Sequence, residues 1–210
     1  LKSTNEEGFM AVITISKESG TESEQVASLL AKKLGWEYIG KQLVARLAKE
    51  LHISEGDVET FLSDAHSRLL RFVDRYTCTI VQKVVAREHG CLDDKNYFEA
   101  VKKLVEDVYQ AGNAIILGWG GQCLLRGRPG VLHVRLRKDE EEKIKTIMSK
   151  YKVSRRAAKD HIAREEGDSK SWIKHYFNEN WNDARLYDLI VDMGKTSVEK
   201  TAELIIKNLK

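Results

Sequence analysis

The sequence predicts an α/β fold of three layers, with a five-stranded, mostly parallel sheet flanked by helices and interrupted by helical insertions. Three observations carry this expectation. Short apolar or β-branched runs recur five times along the chain, and each is separated from the next by a stretch with helical periodicity. Only one proline occurs in 210 residues, so helices run without interruption. Strands alternating with helices pair in parallel, with helices on both faces of the sheet.

The elements follow in chain order. Met10 to Ile15 is a β-branched run that reads as the first buried strand, and Ser16 to Gly20 is the loop after it. Val26, Leu29, Leu30 and Leu34 repeat at helical spacing within a helix over 22–34, which Gly35 stops. Trp36 to Ile39 is a short second strand. Lys41 to Gly90 is helical throughout, with breaks near Ser54 and Tyr76, and a loop follows to Lys95. A helix over 96–110 ends at Ala111-Gly112-Asn113, and Ala114 to Leu117 is the third strand. Beyond Gly118-Trp119-Gly120-Gly121 comes a short helix through Leu125, then the fourth strand from Val131 to Arg137, whose far end is charged. Helices over 139–151, 154–166 and 169–177 precede a fifth strand at Leu189 to Asp192 and a closing helix from Ser197 to Leu209.

The chemistry of the chain excludes several classes. With 35 Lys and Arg against 32 Asp and Glu, the net charge is +3, too small for a broad polyanion footprint. No apolar run approaches the ~20 residues of a membrane span. Cys78, Cys91 and Cys123 are far apart and in no metal-ligand spacing, which reads as a reduced, cytoplasmic chain without a metal site. The six histidines form no His-Glu-x-x-His pair. Residues 1–9 are polar and read as a tail outside the fold rather than a secretory signal; Met10 is the natural start or an internal residue. Residues 10–210 read as a single domain.

Ligands of such sheets bind outside the carboxyl ends of the strands, so the loops at 16–23 and 118–122 are expected to be neighbours. A glycine-bearing loop between a strand and a helix cradles phosphate through backbone N–H groups and the helix dipole. The first loop reads Ser16-Lys17-Glu18-Ser19-Gly20-Thr21-Glu22-Ser23-Glu24, with one glycine and no Lys-Ser or Lys-Thr pair. A local alternative needs no ligand: Thr21 followed three residues later by Glu24 fits a capping box.

The run Ile13-Thr14-Ile15-Ser16-Lys17-Glu18, a glycine, a Glu-Gln-Val-Ala helix start and Leu34-Gly35-Trp36-Glu37-Tyr38 resemble the opening of the cytidylate kinase-like family of P-loop proteins. Gly112 to Gly121 is similar to that family's third strand and turn. Leu132-His133-Val134-Arg135-Leu136 resembles its fourth strand, and Trp181 with Leu186 to Val191 its fifth. The resemblance spans residues 10–210 in order. It implies a P-loop NTPase-like fold whose helical insertions, at about 41–90 and 151–178, serve as acceptor-binding helices and lid.

The resemblance implies phosphoryl transfer from ATP, with Mg2+, to a CMP-like nucleoside monophosphate. Such catalysis is positioning and charge neutralisation. Ser23 stands where close relatives carry the phosphate lysine, and Glu22 stands where they carry the preceding glycine. Lys17 matches the arginine of the family's Ser-Arg-Glu run and is the candidate phosphate cation. Ser16, Gly20, Thr21, Ser23 and Glu24 complete the expected phosphate loop, and Gly118, Trp119, Gly120 and Gly121 the second. Gly40 falls where relatives usually have Asp, and Trp119 where they have Arg; its indole stacks on a base or packs in the core. The lid's Asp-Arg-x-Arg run lands on Glu166-Gly167-Asp168-Ser169, without an arginine, which leaves Arg155, Arg156 and Arg164 as candidate lid cations.

These losses open an alternative, a non-catalytic nucleotide- or partner-binding module on the same fold. A third reading takes residues 154–177 as a helix-turn-helix with its turn at Gly167. From Lys150 to Lys174 there are eight Lys or Arg against four Asp or Glu, but the segment's place at the lid makes nucleic acid the less favoured partner. Phe61, Leu62, Leu69, Leu70, Phe72 and Val73 offer a surface for self-association through the 41–90 helices.

Overall fold

A computed structural model describes residues 11–40 and 94–209. The tail at 1–9, the helical block at 41–90 and its self-association surface lie outside the described residues. Five strands form one sheet: β1 (Val12–Lys17), β2 (Glu37–Gly40), β3 (Ala114–Leu117), β4 (Val131–Arg137) and β5 (Leu189–Asp192). Their order is β2-β3-β1-β4-β5, and every pairing is parallel. The helices are α1 (Ser23–Leu34), α2 (Asp94–Ala111), α3 (Gly121–Leu124), α4 (Glu140–Tyr151), α5 (Arg155–Phe177) and α6 (Val198–Lys207), with a 3-10 turn at Ala184–Leu186.

Alternation along the central strands divides the core. Val12 and Ile116 face a layer built with α2, α3 and the end of α5, where Val105, Leu125, Trp119, Trp172 and Trp181 are buried. Ile13, Ile15, Ile115 and Leu136 face the opposite layer, against Val26 and Leu30 of α1 and Ala202 and Ile205 of α6. Each fully buried side chain of this kind contributes about 1.5–3 kcal/mol, so the strands are held by both faces. A third cluster, Ile144, Ile147, Ala158 and Ile162, joins α4 to α5.

Two local expectations are corrected. The helices expected at 154–166 and 169–177 are one helix of 23 residues. Glycine in a helix interior costs only about 1 kcal/mol, and the buried side chains Ala158, Ile162, Glu166, Trp172 and Ile173 carry α5 straight through Gly167. The helix-turn-helix reading loses its turn and with it its geometry. The capping box is also absent. Glu22 is the N-cap of α1, in left-handed backbone (φ 47°, ψ 29°) without a side-chain cap bond, and the Thr21 hydroxyl instead donates to the Glu18 carbonyl at 2.8 Å.

Candidate phosphate-loop site

The two expected loops meet at the carboxyl ends of β1 and β3. The Gly118 N–H donates to the Ile15 carbonyl at 2.9 Å, and the Glu18 N–H donates to the Leu136 carbonyl at 2.9 Å. The first loop is therefore fastened to β4 and the second to β1. Each contains a non-glycine residue in left-handed backbone, Glu22 and Trp119, a conformation that persists only where the surroundings enforce it.

The second turn is shaped by close approach. A Cβ on Gly121 would lie 3.1 Å from Thr14 Cγ2, and one on Gly120, at φ +74°, would lie 2.8 Å from Phe177 Cε2. Helix α5 thus packs directly over this turn. Trp119 is only 3% exposed and lies in the core, where its carbonyl accepts from Trp172 Nε1 at 3.2 Å.

Around the first loop stand four cations and four carboxylates. Lys17 pairs with Glu165 of α5, and Ser19 Oγ donates to the same carboxylate at 2.6 Å. Lys143 of α4 bridges Glu166 at 2.8 Å and Glu18 at 3.2 Å. Lys138 donates to both oxygens of Glu22, at 3.0 and 3.1 Å, and to the Gly20 carbonyl at 3.2 Å. Arg135 of β4 reaches Glu18 at 3.2 Å, Ser16 Oγ at 3.2 Å and Asn182 at 3.1 Å, and its guanidinium lies 3.6 Å from the Trp181 ring centroid. The Ser19 N–H, a backbone donor of the kind that cradles phosphate, is directed to Glu166 at 3.4 Å. Carboxylates of the chain itself thus engage these cations and this backbone donor.

Burial and pairing compete in these groups. Burial by itself raises the Glu165 carboxyl, but the Lys17 ammonium and the Ser19 hydroxyl outweigh it and hold the group below the usual carboxylate range. Burial lowers Lys143, but Glu166 and Glu18 outweigh it and hold the ammonium above the ordinary lysine value.

The structure separates the candidate residues. Ser16, Lys17, Glu24, Gly118, Trp119 and Gly120 line a cavity of about 310 Å3 beneath α5, and Gly20, Thr21, Glu22 and Ser23 line a smaller one of about 120 Å3 against α4. Lys17, Glu24 and Glu165 line both and form the partition between them. Gly121 packs on Thr14 instead. Arg155 pairs with Glu141 at 2.5 Å on the surface, and it lines neither cavity. Arg156 and Arg164 are exposed and line neither cavity.

Arg135, Lys138 and Lys143 escape a reading by motif, as do Glu165 and Glu166. One signal was available: His133 and Arg135 are polar residues at alternate positions between the apolar residues of β4, ahead of its charged end at Arg137. Both are buried, His133 against Thr14 Oγ1 at 2.7 Å and Arg135 at the loop.

In this arrangement the loop does not fit a magnesium-bound triphosphate, because Lys17 and the Ser19 N–H are already turned to Glu165 and Glu166. Among the described residues no group of three or more His, Cys, Asp or Glu is placed to hold a metal ion, and no helix is long and apolar enough to cross a membrane.

Comparison with known proteins agrees with this architecture. The model of the cytidylate kinase-like family matches residues 12–195. A crystal structure of an uncharacterized protein from Eubacterium ventriosum is similar at a TM-score of 0.65 and 20% identity, covering 95% of this chain and 98% of that one. A gluconokinase from Sinorhizobium meliloti is similar at a TM-score of 0.50 and 10% identity, covering 96% and 94%. At these identities the likeness is one of fold. None of the curated proteins matches the chain at a significant level.

Proposed function

Because the chain belongs to the cytidylate kinase-like family, we propose that it is a nucleotide-binding, kinase-like protein in which phosphoryl transfer from ATP to a CMP-like acceptor is strongly attenuated. One observation carries this reading. Each cation around the first loop, Lys17, Arg135, Lys138 and Lys143, is engaged by a carboxylate of the loop or of α5. Phosphoryl transfer relies on cations free to neutralise charge on the transferring group, and a single such contribution is worth roughly 10³–10⁵ in rate. A loop whose charges already cancel has little to offer a transition state.

Within this proposal Lys17 remains the phosphate cation, released only when Glu165 withdraws. Arg155, Arg156 and Arg164 would have to move with the lid to take part. ATP and Mg2+ would enter the residual reaction only after Glu165 and Glu166 release Lys17 and the Ser19 N–H, and the cytoplasm is the setting the proposal assumes. A coupled ADP-release assay with ATP, Mg2+ and CMP or dCMP tests it. Turnover should fall far below the ~1–100 s⁻¹ of kinases, and turnover within that range would overturn the proposal.

A further inference from the structure

The larger cavity contains a polar reader without a partner. Gln122, in the first turn of α3, is 3% exposed and lines the cavity. Its carboxamide makes no hydrogen bond among the described residues. Its amide atoms keep access to the cavity rather than being sealed in the core, and its two ends offer a donor and an acceptor side by side.

The walls around it are planar, apolar and fixed. Trp119, Trp172, Ile173 and Trp181 line the same space. The Trp172 indole N–H is directed to the Trp119 carbonyl at 3.2 Å and that of Trp181 to Ser16 Oγ at 3.0 Å. Both indole N–H groups are thus engaged; Trp172 also packs on Phe98 and Tyr176 and Trp181 under the Arg135 guanidinium, and the parts of the rings that line the cavity are apolar.

The charge of the cavity points the same way. Among the described residues its lining carries one cation, Lys17, against the carboxylates of Glu24, Glu165 and Asp168. Lys17 is held by Glu165, so a phosphate entering here would meet net negative charge in a partly dry site. At about 310 Å3 the space lies at the lower end of the ~300–1,000 Å3 typical of small-molecule pockets.

We infer that this cavity binds the uncharged heterocycle of an unphosphorylated nucleoside, with Gln122 pairing to adjacent donor and acceptor atoms on the ring edge, and that it disfavours the corresponding 5′-monophosphate. The inference rests on the reading above that the strand ends hold the ligand site, and it adds the class of ligand taken there.

Titration calorimetry of the full chain with cytidine, adenosine and their 5′-monophosphates, in the absence of ATP and Mg2+, tests it. At least one nucleoside should bind at least about tenfold more tightly than its own monophosphate, a margin set by placing a phosphate among carboxylates. Gln122→Leu should weaken that nucleoside by at least about tenfold, the scale of one bidentate amide contact, with an unchanged melting temperature. Asp168→Asn, at an exposed helix position, should strengthen monophosphate binding and narrow the ratio; it keeps the test open if the core variant fails to fold. A monophosphate bound as tightly as its nucleoside, an unaltered affinity in a folded Gln122→Leu variant, or no nucleoside binding at millimolar concentration would each overturn the inference. Because no ATP is present, these outcomes are separate from fast ADP release, which refutes only the attenuated-transfer reading.

Discussion

Replacing Glu165 by alanine should convert the loop from a self-occupied to an available anion site. Glu165 lies in the middle of α5, where alanine is the best helix former, so the backbone should hold. The substitution removes the partner of Lys17, the acceptor 2.6 Å from Ser19 Oγ and the carboxylate 3.6 Å from His161 Nε2. Charge-assisted hydrogen bonds are worth about 1.5–3 kcal/mol each when buried. Here Lys17 is 26% and Glu165 34% exposed, and screening by solvent reduces the total that an incoming anion must displace to about 2 kcal/mol. At 1.4 kcal/mol per tenfold, tripolyphosphate or ATP should bind about 25-fold more tightly to Glu165→Ala than to the parent chain. Calorimetry at low ionic strength, where screening is weakest, gives the comparison. Glu199→Ala removes the same charge from an exposed position in the first turn of α6 and should change affinity less than about twofold. Adding Lys17→Met to Glu165→Ala should abolish the gain. If Glu165→Ala binds no better than Glu199→Ala, the carboxylate does not compete for an anion at this loop, and the account of attenuated transfer fails with it.

Other consequences are structural. Lys143→Met would leave Glu18 and Glu166 without the ammonium that bridges them at 3.2 and 2.8 Å; breaking a buried pair from one side costs about 3–5 kcal/mol. At roughly 2–4 °C per kcal/mol for a chain of this size, its melting temperature should fall by at least about 6 °C, and a smaller change in a calorimetric scan would show the bridge to be dispensable. Gly120→Ala would set a methyl 2.8 Å from Phe177 Cε2 at φ +74°, which should cost about 1–3 kcal/mol in urea unfolding; an unchanged midpoint would mean that α5 packs less closely on the turn. Burial lowers the His133 imidazole below its usual value, against an opposing pull from Asp188. Below about pH 6.5 the unfolded chain then binds the proton more readily than the folded one, so stability falls as pH drops through that window. His133→Gln should flatten this dependence between pH 7.5 and 5.5 in urea titrations; an identical slope would place the titration at other groups.

Much of the architecture was legible because its signals are local. The runs Ala114–Leu117, Val131–Arg137 and Leu189–Asp192 coincide with β3, β4 and β5: β3, buried along its whole length, reads as a continuous apolar run, and β4 and β5 carry enough β-branched and apolar residues to read as strands despite their charged ends. The break expected at Gly167 was not borne out, because a lone glycine is a weak stop when the side chains around it are buried on one helix face. The capping box failed for a related reason: Glu22 in left-handed backbone and Thr21 bonded to Glu18 satisfy the turn differently, and a four-residue motif cannot register what packs against it.

The amino-acid sequence by itself determined the alternation of strands and helices and the two loops at their carboxyl ends. It also showed an acidic first loop, but not what that acidity meets. Tertiary structure alone decided that Glu165 and Glu166 reach back to Lys17, Ser19 and Lys143, and that Gln122 faces a cavity walled by tryptophans. The physical reason is distance along the chain. Lys17 and Glu165 are 148 positions apart and Glu18 and Arg135 are 117 apart, so no periodicity or motif window contains both partners. Only the sheet order, with β1 between β3 and β4 and α5 laid over the turn, brings them together and decides which charges are left for a ligand.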